Sequence, residues 1–135
     1  MTTAMTLAQF RIRYGTTPAR QLLLDELESF VAQLKANFSR FRVLAYGSFL
    51  SQKHVLDDID VLVCVSSAPS DRGFNRFKKL QELASERVDV FTLSLKSSFG
   101  SPEPVPDADA MISAFNTQEA HIAKNIQCKH AIELV

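Results

Sequence analysis

The sequence predicts a small α/β (α+β) domain, a mixed β-sheet with flanking helices. Three observations predict it. A long run beginning at residue 18 repeats apolar side chains at helical spacing. Short segments rich in Val, Ile and Leu read as strands, and one of them is apolar at almost every position. Helical and extended patterns then alternate, in the order helix, strand, loop, strand, helix, strand, helix. With 135 residues the chain suffices for one domain over residues 1–135. Its expected core covers about 18–95 and a helical region about 107–127.

Residues 1–15 are mixed, although Leu7, Phe10 and Tyr14 are spaced like one face of a short helix. Thr17 is a good N-cap and Pro18 suits the first helical position, so a helix is expected over 18–36. Leu23, Leu27, Phe30, Val31 and Leu34 form its apolar face, and Asp25, Glu26 and Glu28 lie off it. Residues 41–46 read as a strand ended by Gly47-Ser48, and 49–57 as a polar loop or short helix. Residues 58–65 form a strand whose far end should be buried on both faces. After a turn over 66–71 comes a helix over 72–85, with Phe74, Phe77, Leu80, Leu83 and Ala84 inward, then a strand over 87–93. The prolines at 102, 104 and 106 mark a loop. Asp107 can cap a helix carrying Met111, Ile112 and Phe115, Thr117 opens a helical stretch to Ile126, and 130–135 reads as a terminal strand.

Composition narrows the function. Fifteen basic and fifteen acidic residues cancel, and neither half is a basic tail, which argues against attachment to nucleic acid by bulk charge. No apolar run approaches the ~20 residues that span a bilayer, and the first fifteen residues lack an apolar signal core. Two cysteines make no disulfide framework, and Cys64 reads as a small core hydrophobe. A cytoplasmic protein without a membrane partner is the expectation.

One constellation carries chemistry. Asp58 and Asp60 open an otherwise apolar strand. Side chains two apart on a strand share a face, roughly 6–7 Å apart, so two like charges would face one another. A divalent cation resolves that conflict, because carboxylates are the hard oxygen ligands that Mg²⁺ takes alongside substrate phosphates. Asp89 repeats the pattern between Val88 and Val90. If the two strands are neighbours, three carboxylates meet at one sheet end, as two-metal phosphoryl transfer requires. Gly47-Ser48 supplies a turn whose backbone N–H groups and hydroxyl could hold phosphate oxygens.

This order resembles the DNA polymerase β-like nucleotidyltransferase superfamily. That pattern is a hydrophobic residue, Gly-Ser, a short spacer, Asp-hydrophobic-Asp-hydrophobic, and a third Asp on a later strand. Here it reads Tyr46-Gly47-Ser48, nine residues, Asp58-Ile59-Asp60-Val61, and then Asp89. Thr17-Pro18-Ala19-Arg20 and Gly47-Ser48-Phe49 look like small prokaryotic members of that superfamily. The resemblance covers residues 41–93 and implies a nucleotidyltransferase-like core. It implies that Gly47 and Ser48 hold phosphates of a nucleoside triphosphate. It implies that Asp58, Asp60 and Asp89 bind Mg (or Mn), with Asp89 also activating an acceptor hydroxyl on a protein, an RNA or a small molecule.

Two departures motivate a second reading. Gln52 stands where many minimal nucleotidyltransferases carry another glycine, and only about forty residues follow the core. The alternative is a non-catalytic nucleotide- or partner-binding module of the same fold, such as an antitoxin-like protein beside a toxin-like protein partner, or a homo-oligomer. A blander option is a structural domain whose carboxylates cap strands. Lys53 and His54 could touch phosphates or belong to a solvated loop. Arg72, Arg76, Lys78 and Lys79 read as a solvated face ahead of a rim that attracts triphosphate or RNA, and Asp57 as a turn cap. A hydrolase is disfavoured because residues 46–50 lack the Gly-x-Ser-x-Gly elbow. His121, Cys128 and His130 fall short of a four-ligand zinc set. Phe10, Phe30, Phe41, Phe74, Phe77, Phe91 and Phe115 are expected in the core.

Overall fold

A computed structural model describes residues 2–38, 40–51, 57–65, 73–92, 107–124 and 130–135, with 73–77 and 119–120 described by backbone alone. The described strands are β1 (Thr3–Met5), β2 (Phe41–Tyr46), β3 (Ile59–Val65), β4 (Val88–Thr92) and β5 (Ile132–Leu134). The helices are α1 (Leu7–Tyr14), α2 (Pro18–Asn37), α3 (Gly73–Leu83), α4 (Ala108–Asn116) and α5 (Glu119–Ala123). A 3-10 turn, Gly47–Ser51, follows β2. The result is the expected mixed sheet with flanking helices. Its strand order is β1-β5-β2-β3-β4. β2 runs antiparallel to β3 and β5, whereas β3–β4 and β1–β5 are parallel.

Helix α2 forms where its capping chemistry and apolar stripe predict. The Thr17 side chain accepts a hydrogen bond from the Arg20 backbone N–H, and Pro18 takes the first turn. Leu23, Leu27, Phe30, Val31 and Leu34 are all buried. The exposed face carries Asp25 and Glu28, which pair with Arg11 of α1 at 2.8 and 3.1 Å. Leu7, Phe10 and Tyr14 do lie on one short helix, and Phe10 and Tyr14 are buried.

β3 is buried on both sides, as its composition predicts. Ile59, Val61, Val63 and Val65 pack with α1 and α2. Leu62 and Cys64 pack on the other side with Met111 and Phe115 of α4. The period of two therefore splits one strand between two cores. Asp107 accepts from the Ala110 N–H at 2.8 Å and caps α4, also as expected.

The differences from expectation are local. Residues 3–5 form a strand that no local pattern announces, because it exists only by pairing with β5 at the other end of the chain. β3 starts at Ile59, so Asp58 stands one residue ahead of the ladder. Phe49 is a core residue that the sequence reading left out, with 1% exposure. Phe41 and Phe91 are only partly buried at the margins of the two cores. The 66–71 turn, most of the 97–107 loop, the side chains of Phe74 and Phe77, and the helical stretch beyond Lys124 lie outside the described residues.

Candidate active site

The site is a consequence of register. The parallel pairing of β3 with β4 sets Asp60 directly beside Asp89. The Ile59 N–H donates to the Arg87 carbonyl at 2.9 Å and fixes the start of that pairing. On β3 the alternation that buries Leu62 and Cys64 puts Asp60 on the same side, toward α4. On β4 the same parity joins Asp89 with Phe91. Two rows that are apolar further along thus begin with carboxylates at one sheet end. Asp58 completes the group from just outside β3. One oxygen from each of Asp58, Asp60 and Asp89 lies within 4.8 Å of the others.

This crowding shows in the proton affinities. Burial, then the negative charges of Asp58 and Asp89, then a hydrogen bond with Asp89, push the Asp60 carboxyl up to about 6. Burial, then Asp89 and Asp57, raise the Asp58 carboxyl as well. Asp57 itself is exposed. Hard oxygen donors, two half-buried and one exposed, mutually repelling, form a donor set that suits a magnesium-like cation. Three donors on one octahedral Mg²⁺ include at most one trans pair, about 4.2 Å apart, with the cis pairs about 3 Å apart, so the carboxylates would draw together to hold one.

Gly47 closes the site from the side of β2. Tyr46 pairs across the ladder with Asp60, which brings the next residue over that carboxylate. Gly47 has φ +81°, and a Cβ there would stand 2.7 Å from Asp60 Oδ2. Both the left-handed backbone and the close approach call for glycine. Ser48 follows as the second residue of the 3-10 turn, and its carbonyl accepts from the Ser51 hydroxyl at 2.7 Å. The structure therefore brings Asp58, Asp60, Asp89 and Gly47 together, with Ser48 adjoining. On the other flank an open cleft of about 390 Å³ begins at Asp58 and Asp89. Gln81, Ser85 and Glu86 line its far side, and the Gln81 side chain donates to the Val90 carbonyl at 3.3 Å.

The secondary candidates fare differently. Lys53, His54, Gln52, Arg72 and Cys128 lie outside the described residues, as does the side chain of Arg76. Lys78 is exposed, and the Lys79 ammonium sits 5.6 Å from the centre of the Phe38 ring, which fits a solvated face. His121 is buried, stacked on Phe115 at 3.9 Å, and its Nδ1 donates to the Phe115 carbonyl at 2.7 Å. It serves packing. Two residues around the turn, Phe49 and Arg20, appear in the motifs of the resemblance but carry no expected role there. A usable signal existed for Arg20. A cation in the first turn of a helix opposes the helix dipole, so its retention there points to a tertiary contact.

No curated protein and no solved structure matches the chain. The family model of DUF6932, described as a family of unknown function, matches residues 2–128, a span that takes in all three carboxylates and the turn. The chain belongs to the DUF6932 family.

Proposed function

We propose that this protein is a nucleotidyltransferase that moves a nucleoside monophosphate from a nucleoside triphosphate to a hydroxyl acceptor, using Mg²⁺ or Mn²⁺. The observation that carries the reading is the meeting of Asp58, Asp60 and Asp89 within 4.8 Å, at the place where Gly47 passes over Asp60. Three crowded carboxylates cost stability without a cation, and folding alone has no use for them. Glycine at 47 lets the backbone of the turn pack directly against Asp60.

Asp58, Asp60 and Asp89 would hold the cation. When bound, it neutralises phosphate charge and favours the departure of pyrophosphate. The backbone at Gly47 and Ser48 would receive phosphate oxygens and orient the α-phosphate. Asp89 is the exposed member and borders the 390 Å³ cleft, which is where an acceptor can enter. Its carboxylate would take the proton from the acceptor hydroxyl as that oxygen bonds to the α-phosphorus. The bond from the α-phosphorus to the bridging oxygen then breaks, and pyrophosphate leaves with the electron pair.

The test uses the four nucleoside triphosphates, each labelled at the α-phosphate, with Mg²⁺ or Mn²⁺ and cell extract. Label should move to an acceptor, and the Asp58→Ala/Asp60→Ala variant should lose the transfer. Nucleotide binding with no consumption for all four would instead support the non-catalytic module. No transfer and no binding would sink the enzyme and move the weight to a module that binds a protein partner.

A further inference from the structure

Arg20 is 4% exposed, which is rare for an arginine. Its Nη1 donates to the Phe49 carbonyl at 2.8 Å and to the Tyr14 carbonyl at 3.3 Å. Its guanidinium carbon stands 4.6 Å from the centre of the Phe49 ring. That ring is itself buried, 5.8 Å from Phe10 and 6.4 Å from Tyr14 between ring centres. One side chain thus joins the end of α1, the start of α2 and the middle of the Gly47–Ser51 turn. Burying a cation costs several kcal/mol unless hydrogen bonds offset it, and a first-turn cation also opposes the dipole of α2. Its shorter hydrogen bond and its ring contact both go to Phe49, in the middle of the turn.

We infer that Arg20 is a positioning residue for the Gly47–Ser51 turn, holding it over Asp60 so that its backbone can receive nucleotide phosphates. The role rests on the nucleotidyltransferase reading of that turn. A five-residue 3-10 turn has few hydrogen bonds of its own and weak geometry. Arg20 clamps it through a backbone carbonyl and through the Phe49 ring together. Lysine could reach one carbonyl but could not also stack a planar guanidinium on Phe49.

Arg20→Met and Arg20→Lys separate this role from general stability. Three quantities are read: amide hydrogen exchange at residues 48–51, Mn²⁺ affinity, and affinity for the four nucleoside triphosphates with Mn²⁺. In Arg20→Met, exchange at 48–51 should quicken at least ~10-fold while β2 and β3 keep their protection, because a charged hydrogen bond is lost. Nucleotide affinity should fall at least ~10-fold and Mn²⁺ affinity by less than ~3-fold, with Arg20→Lys between the two proteins. Should Arg20→Met not fold, Arg20→Lys decides by its exchange at 48–51. Unchanged exchange in that segment overturns the proposal, and so does an equal loss of Mn²⁺ and nucleotide affinity. A wild-type chain that binds Mn²⁺ but no nucleotide overturns the functional reading, and this role with it, before any variant is made.

Discussion

Gly47 shows how much one missing side chain can decide. Its φ of +81° costs an L-residue about 1–2 kcal/mol, and a Cβ would press on Asp60 Oδ2 at 2.7 Å. Gly47→Ala should therefore destabilise the protein by about 2–4 kcal/mol and weaken Mn²⁺ binding, since Asp60 must move. The two causes separate in a double-mutant cycle read by urea unfolding. In an Asp60→Ala background the same change should cost only its backbone share, about 1–2 kcal/mol. An equal cost in both backgrounds would show that the contact with Asp60 is immaterial. At this scale the sequence was legible wherever partners are close in the chain or repeat a spacing. Gly47-Ser48 and Asp58-Ile59-Asp60 fall within fourteen residues. Arg20 and Phe49 are 29 positions apart and meet only because α2 packs against the turn. No local pattern encodes that distance.

β3 ties the site to both cores. Its odd-numbered residues from Ile59 to Val65 anchor the helices α1 and α2, while Leu62 and Cys64 anchor α4. Leu62 is fully buried, two residues beyond Asp60 in the same row. Leu62→Ala should cost about 2–5 kcal/mol in urea unfolding, the range for emptying a close-packed leucine site. A loss below about 1 kcal/mol would mean that the α4 side of the sheet is loosely packed. The elements themselves divide by what defines them. α2 carries its own cap, proline and stripe, so residues 18–36 announce it almost to the residue. β3 was legible from its apolar run. β1 and β5 have three residues each and are strands because they pair with one another across the whole chain, with β5 also pairing to β2. An edge strand as short as β1 follows from tertiary contact, not from propensity, whereas β5, between β1 and β2, falls within the strand read over 130–135. A single alternation in three residues could not have shown β1.

For the molecule as a whole, the sheet gathers acidic groups from two strands and the segment before one of them, and its stability should respond to protons and cations together. Asp60 has an ordinary carboxyl pKa of 3.8 when unfolded and about 6 when folded. Between those values the native state binds more protons than the unfolded chain, so stability falls as pH rises through that window. Below about pH 4 the penalty is absent. Above about pH 6 it is complete, of order 1–2 kcal/mol once solvent screening is allowed for. Asp60→Asn should flatten this slope and leave the cation-free protein more stable than wild type at pH 7–8. Mg²⁺ should act in the opposite sense, raising wild-type stability at pH 7–8 by about 2.7 kcal/mol at a hundredfold excess over its dissociation constant. The gain should shrink toward pH 5, where protons compete for Asp60, and should largely vanish in the Asn variant. Thermal melts across pH 4–8, with and without Mg²⁺, read every part of this. A cation effect that persists unchanged at pH 5, or survives in Asp60→Asn, would place the binding elsewhere than on the three carboxylates. Asp58, itself raised, leaves a smaller slope in Asp60→Asn; an undiminished slope there without Mg²⁺ would assign the titration to another group.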